Sequence, residues 1–218
     1  MLAYETPQIV QLIVAAGIAY LIGALPVADR VSRRRGIDIF NTGTGLAGST
    51  NVLKNVGKIS GVIVFLGDMA KGILAVFVAQ HFLGIEGHWI VVPSAFAVIG
   101  QWNSVFSGFK GGDGLVVLGG ATLAVFPEYG IIGVTFAAAV ALIAQKMPYS
   151  SLLNILAGYT VIILLAQRYF SDDLDTALAM GGLALVVFGH AVLGHAKRRR
   201  VASEVAGGDL AGNRETGG

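Results

Sequence analysis

The chain has 218 residues, of which 55% are hydrophobic and 13% charged, with no cysteine and a net charge of +2. Its mean hydropathy of +0.73 lies outside the soluble range, and its apolar runs exceed what a soluble core uses, since about 20 residues cross a roughly 30 Å hydrocarbon layer. An all-α membrane protein is expected, disulfides and thiolate catalysis are excluded, and the basic residues point to membrane topology and anionic lipid rather than to nucleic acid.

Seven transmembrane spans are predicted, at roughly 8–29, 59–80, 88–107, 114–127, 129–145, 150–168 and 174–195. The first follows "MLAYETPQ", which has an acid and no basic region, so it reads as a span rather than a cleaved leader. In the second, Asp68 and Lys71 stand at i and i+3 on one face; charges at that depth are costly, and an ion pair is expected. Near the inner end of the third, Gln101, Asn103 and Ser104 either line a pocket or hydrogen-bond between helices. Trp89 and Trp102 read as membrane-interface anchors. The fourth, "GLVVLGGATLAVF", is short for a crossing, and is either buried by neighbours or enters at an angle. Pro127 marks the turn into the fifth. His190 and His195 near the inner end of the seventh complete no metal-ligand set. Residues 1–200 are expected to form one transmembrane domain, followed by a disordered cytoplasmic tail at 201–218, small, polar and Gly-rich.

Basic residues set the orientation. Arg30, Arg33, Arg34, Arg35, Lys54 and Lys58 lie between the first two spans, Lys110 and Lys146 follow the third and fifth, and Lys197, Arg198, Arg199 and Arg200 follow the seventh. The alternate loops hold Arg168 as their only basic residue, beside Glu86, Glu128, Asp172, Asp173 and Asp175. The positive-inside rule then puts the N-terminus outside and the C-terminus in the cytoplasm.

Two Gly-rich stretches fall on that cytoplasmic side: "NTGTGLAGSTN" at 41–51 and "GFKGGDG" at 108–114. Glycine lets successive backbone N–H groups turn toward one point, and such a nest binds phosphate or carboxylate, helped by a helix N-terminus. Hydroxyls at Thr42, Thr44, Ser49 and Thr50, with Lys54, Lys58 and Lys110 nearby, suit an anion. Neither stretch is a Walker loop, because no Gly-Lys-Ser/Thr stands at the needed spacing. The alternative is that the glycines serve tight turns and close helix packing.

The order "YLIGALPVADRV", "TGTGLAGSTNVLKNVGK", "DMAKG", "FKGGDG" and "AVFP" resembles the bacterial integral-membrane acyl-phosphate:glycerol-3-phosphate acyltransferases, from about Tyr20 to Pro127 and more weakly to His190. The resemblance implies seven spans with the N-terminus outside, transfer of an acyl group from acyl phosphate to glycerol 3-phosphate giving lysophosphatidic acid, no metal and no cofactor. It implies roles in catalysis for Thr44, Lys54, Lys110, Ser151, Asn154 and His190. Substrate and phosphate binding falls to Gly43, Gly45, Gly48, Thr50, Asn51, Gly111, Gly112, Asp113 and Gly114. Several positions depart from the family pattern. Leu46 replaces an asparagine, Lys54 an arginine, Gln101 a histidine, Asn154 a serine and Leu193 an asparagine. Asp113 puts a carboxylate where a phosphate-binding lysine is expected; either Lys110, three residues earlier, substitutes for that cation or the phosphate chemistry is lost.

The expected partners are acyl phosphate, glycerol 3-phosphate and membrane lipids in a bacterial-type cell membrane; acyl-chain preference and oligomeric state stay open. Two other readings stay open as well: a non-catalytic paralogue binding a lipid, phosphate ligand or partner, and a small transporter.

Overall fold

The structure, a computed structural model, describes residues 8–143 and 150–193. The sequence-predicted tail at 201–218, with Lys146, His195 and the basic run at 197–200, lies outside the described residues. The described chain is helical, with helices α1 (Ile9–Gly23), α2 (Val27–Arg33), α3 (Ser49–Asn55), α4 (Lys58–Leu83), α5 (Val91–Trp102), α6 (Leu115–Val125), α7 (Gly130–Ile143) and α8 (Ser150–Tyr169), and α9 at 174–193.

Three helical stretches are long and apolar enough to cross a membrane, Ile9–Arg33, Lys58–Leu83 and Ser171–Leu193, and shorter apolar helices fill the spaces between them. Large apolar side chains face outward along them: Ile59 is 71% exposed, Phe82 73% and Ile143 85%. A soluble protein would not present such a surface; a lipid-facing one does.

Helices occupy the segments of the predicted spans, with changed ends. The first is interrupted after Gly23, because Pro26 has no N–H and its ring clashes with the preceding turn, so α2 starts afresh. The third is shorter than 88–107: a 3-10 turn over Gly87–Ile90 leads into α5, which stops at Trp102. There Asn103 leaves helical geometry (φ −127°, ψ 68°), and Gln101 offers its carbonyl to the Gly112 N–H at 2.9 Å instead of to a further helical turn. Helix α4 ends at Gly84, whose φ of 63° suits glycine, with the Ile85 N–H returning to the Ala79 carbonyl.

Small residues bring the helices together in pairs. Gly72 abuts the Val117 carbonyl and Gly120 the Met69 carbonyl, joining α4 to α6. Gly23 abuts the Ala97 carbonyl and Gly100 the Tyr20 carbonyl, joining α1 to α5. In a membrane, where burial in lipid gives no hydrophobic driving force between helices, such backbone approach holds a bundle together. Together these two pairs hold α5 and α6, between which the second Gly-rich loop runs.

Candidate active site at the glycine-rich loops

The first loop is organised from within. Asp38 accepts from the Phe40 N–H (3.0 Å) and from Asn41 Nδ2 (2.8 Å), starting a 3-10 turn. Asn51, buried in α3, donates through Nδ2 to the Thr42 and Leu46 carbonyls, each at 2.9 Å, while its Oδ1 accepts from the Thr44 N–H (3.2 Å) and Asn55 Nδ2 (2.8 Å). Its amide is committed to the loop's shape. Gly43 (φ 60°) and Gly45 (φ 67°) take the left-handed region, and a Cβ at Gly43 would strike the Asn51 and Asn55 side chains.

Gly48 differs from expectation. It carries φ −130° at the N-cap of α3, and a Cβ there meets open space. The requirement for glycine falls on Gly43 and Gly45, which the spacing alone did not separate from Gly48. Thr44, Thr50 and Lys54 are exposed on the loop and α3.

The second loop is pressed against the first. The Ala47 N–H donates to the Gly111 carbonyl at 3.0 Å. A Cβ on Gly111 would collide with the Gln101 and Trp102 carbonyls, and one on Gly112 would approach the Ala47 carbonyl at 2.7 Å. Gly114 (φ 80°) begins α6. The two stretches are thus one assembly, and their glycines serve close approach as well as turning.

Asp113 accepts from the Leu115 N–H through Oδ1 at 3.2 Å, and its carbonyl accepts from Trp102 Nε1 at 2.8 Å. A carboxylate of the chain itself therefore takes a donor at the start of α6. Lys110 is exposed, with Nζ 5.7 Å from the centre of the Phe40 ring, which brings this cation beside the first loop.

Beneath the loops lies a buried polar cluster. Asp68 and Lys71 form the expected ion pair (2.8 Å) and are 2% and 4% exposed. Gln101 completes it: Oε1 accepts from Lys71 Nζ at 2.7 Å, while Nε2 lies 3.3 Å from Asp68 Oδ2 and 3.3 Å from the Ala47 carbonyl. A glutamine supplies an acceptor and two N–H donors for this, where a neutral imidazole offers one donor and one acceptor. The residue departing from the family pattern thus ties α4, α5 and the first loop together.

The remaining sequence-predicted residues are spread more widely. The His190 ring on α9 stacks on Trp102 (3.9 Å between centroids, 15° between planes), so it joins the loops through an indole. Trp102 bridges Asp113 and His190. The signal for this was its place in "QWNS", at the end of a helix and beside the loop. Leu193 is 72% exposed. Asn154 lines a cavity of about 200 Å³ between α4, α6, α7 and α8, walled by Phe65, Met69 and Leu118. Tyr159 and Thr122 hydrogen-bond across it at 2.7 Å. The Ser151 side chain lies outside the described residues. No group of His and acidic side chains among the described residues converges to hold a metal.

Residues 13–199 match the family model described as glycerol-3-phosphate acyltransferase. A glycerol-3-phosphate acyltransferase 1 of Deinococcus radiodurans is 33% identical over 174 residues, covering 79% of this chain and 85% of that protein. The Neisseria meningitidis enzyme is 36% identical over 179 residues, covering 79% and 86%. Among solved structures, PlsY (YgiH), an integral membrane glycerol 3-phosphate acyltransferase, matches in its glycerol 3-phosphate form with a TM-score of 0.65 and 29% identity, covering 83% of this chain and 90% of that one. Its lysophosphatidic acid form matches with a TM-score of 0.65 and 27% identity, over 83% and 89%. With nearly the whole helical bundle covered by the family model, this chain belongs to the integral-membrane glycerol-3-phosphate acyltransferase family.

Proposed function

We propose that this protein transfers the acyl group of an acyl phosphate to a hydroxyl of glycerol 3-phosphate, releasing lysophosphatidic acid and phosphate. Its family carries that reading, and one observation supports the location of the site: the direct Ala47–Gly111 hydrogen bond joining the two Gly-rich loops. The glycerol hydroxyl oxygen attacks the acyl carbonyl carbon, an ester C–O bond forms, the bond to the phosphate oxygen breaks, and phosphate takes up the proton. The protein contributes positioning and positive charge. Lys54 and Lys110 supply the cations, Thr44 and Thr50 hydroxyl contacts, and the loop glycines close approach to the phosphates. The apolar cavity beside Asn154 takes the acyl chain, and His190 acts at the rim through Trp102.

The decisive assay supplies purified protein with acyl phosphate and labelled glycerol 3-phosphate and scores lysophosphatidic acid. Lys110→Ala should lower glycerol 3-phosphate affinity about tenfold or more, since a charge-assisted contact is worth about 1.5–3 kcal/mol. Asp113→Lys, which removes the carboxylate at the start of α6 and adds a cation, should raise it by a similar factor. Product from the unaltered protein with neither variant changed would leave the reaction standing and move the phosphate site elsewhere. No product at all, with phosphate binding retained, would favour a non-catalytic paralogue.

We also read the chain as one transmembrane domain of seven spans, with the N-terminus outside and both loops cytoplasmic, on the distribution of its basic residues. In this cysteine-free protein, cysteines introduced at Ser49 and Ser203 should label only from the cytoplasm and one at Ser171 only from outside. Reversed labelling would overturn the orientation.

A further inference from the structure

The cavity beside Asn154 begins directly beneath the second glycine-rich loop, because Leu115, the residue after Gly114, lines it. Two helix pairs wall it. Gly120 against the Met69 carbonyl closes α4 on α6, and Gly133 against Ile162 and the Gly158 carbonyl closes α7 on α8. At the far end a bridge ties the pairs together. Thr122 lies 2.8 Å from the Leu118 carbonyl, which can only accept, so Tyr159 is the donor in the 2.7 Å bond between the two hydroxyls. One turn beyond Thr122, Phe126 is buried and shuts that end. One side stays open: Phe65 and Ala138 line the cavity and are exposed, on a surface that faces lipid.

Gly119 keeps the middle clear. It stands four residues after Leu115 and three before Thr122, so all three share the cavity face of α6. Its neighbour Gly120 is needed for close helix approach, but a Cβ added at Gly119 meets no heavy atom within 4 Å. A side chain there would enter the cavity itself.

These features fix a depth. Leu115 to Thr122 is seven residues of α6, about 10.5 Å at about 1.5 Å per residue. An extended chain advances about 1.2 Å per bond, as the backbone does with three bonds in about 3.3–3.6 Å. About nine bonds therefore reach the bridge. Lipid is as apolar as this lining, so a chain gains little by moving from one to the other, and shape decides the fit. A longer chain must turn at the bridge and leave by the open side. A saturated or trans chain turns there only through less favoured torsions held against the wall. A cis double bond at that depth supplies the turn.

Resting on the reading that this cavity takes the acyl chain, we propose that Gly119 and the Thr122–Tyr159 bridge select the donor. Among long-chain acyl phosphates, those with a cis double bond about nine carbons from the carbonyl are preferred.

The test compares palmitoyl, palmitoleoyl and palmitelaidoyl phosphate, a saturated chain and its cis and trans mid-chain alkenes. Each is held at the same low mole fraction in fluid nanodiscs carrying the full chain, with glycerol 3-phosphate supplied. Palmitoleoyl phosphate should be used at least about fivefold faster than either straight donor. Tyr159→Ala, which removes the ring at the bridge, should abolish that preference. Tyr159→Phe, which keeps the ring and loses the hydroxyl, should retain it. Transfer from decanoyl phosphate, short enough to end at the bridge, reports that both variants are folded. Gly119→Phe should slow all these donors at least about tenfold relative to butanoyl phosphate, which ends short of the new ring and reports that this variant is folded. Equal use of the cis and trans donors, or a preference untouched by Tyr159→Ala, overturns the selection and leaves the reaction standing. Long donors indifferent to Gly119→Phe place the chain outside this cavity and overturn it as well. No transfer from any donor, butanoyl phosphate included, sinks the reaction and the selection together.

Discussion

Lys71→Met should lower the stability of the folded protein by about 3–5 kcal/mol, measured by denaturant unfolding in micelles. The substitution keeps an unbranched apolar stem but leaves the Asp68 carboxylate, 2% exposed, without its 2.8 Å partner. It also takes the donor from Gln101 Oε1. Breaking such a pair is far more costly than never having had it, so Asp68→Asn in the same chain should restore most of the loss. A Lys71→Met protein as stable as the parent would mean that the cluster is hydrated, and that its hold on Gln101 and the first loop is weak.

The second large effect falls on activity. Gly111→Val should reduce acyl transfer at least about 100-fold, the loss expected when reacting groups are displaced by about 1 Å. Its Cβ would land on the main-chain oxygens of Gln101 and Trp102, which are backbone and cannot swing aside. The second loop must lift, and the Ala47 N–H then loses the Gly111 carbonyl. Gly17→Val is the matched control, because a Cβ at that outward-facing position of α1 meets nothing within 4 Å. If both variants keep full turnover, contact between the loops is irrelevant to the chemistry.

The helices were legible because long apolar runs have few alternatives. α4 was expected at 59–80 and spans Lys58–Leu83, its far end set by a glycine. α5 misled because hydropathy continues through Val105 and Phe106, while the helix ends where Gln101 turns its carbonyl to Gly112, a tertiary event with no local signature. The same limit governs the site. That two Gly-rich stretches belong together could be argued from their shared face. Which glycine tolerates a side chain could not, because that depends on the neighbour: Gly43 faces Asn51 and Asn55, Gly48 faces open space, and Gly111 faces backbone. Gln101 looked like a damaged position when set against a family histidine. Its three hydrogen-bonding partners give it a structural reason to be glutamine.

The buried cluster also fixes how far along α4 the second loop is anchored. Lys71 is thirteen residues along α4 from Lys58, about 20 Å at 1.5 Å per residue. Gln101, which holds Gly112 through its carbonyl, reaches that lysine directly. The loop is therefore anchored well along α4 from its Lys58 end, and irregular backbone within a membrane protein is tolerated only if its polar groups are satisfied or face a water-filled cavity; the Ala47–Gly111 and Gly112–Gln101 bonds meet part of that demand. An acyl donor dissolved in the lipid can then present its reactive carbonyl without being lifted into water, while the glycerol substrate descends from the aqueous side. Turnover should accordingly follow the mole fraction of donor in the membrane, falling as inert lipid dilutes it, even when its bulk concentration is unchanged.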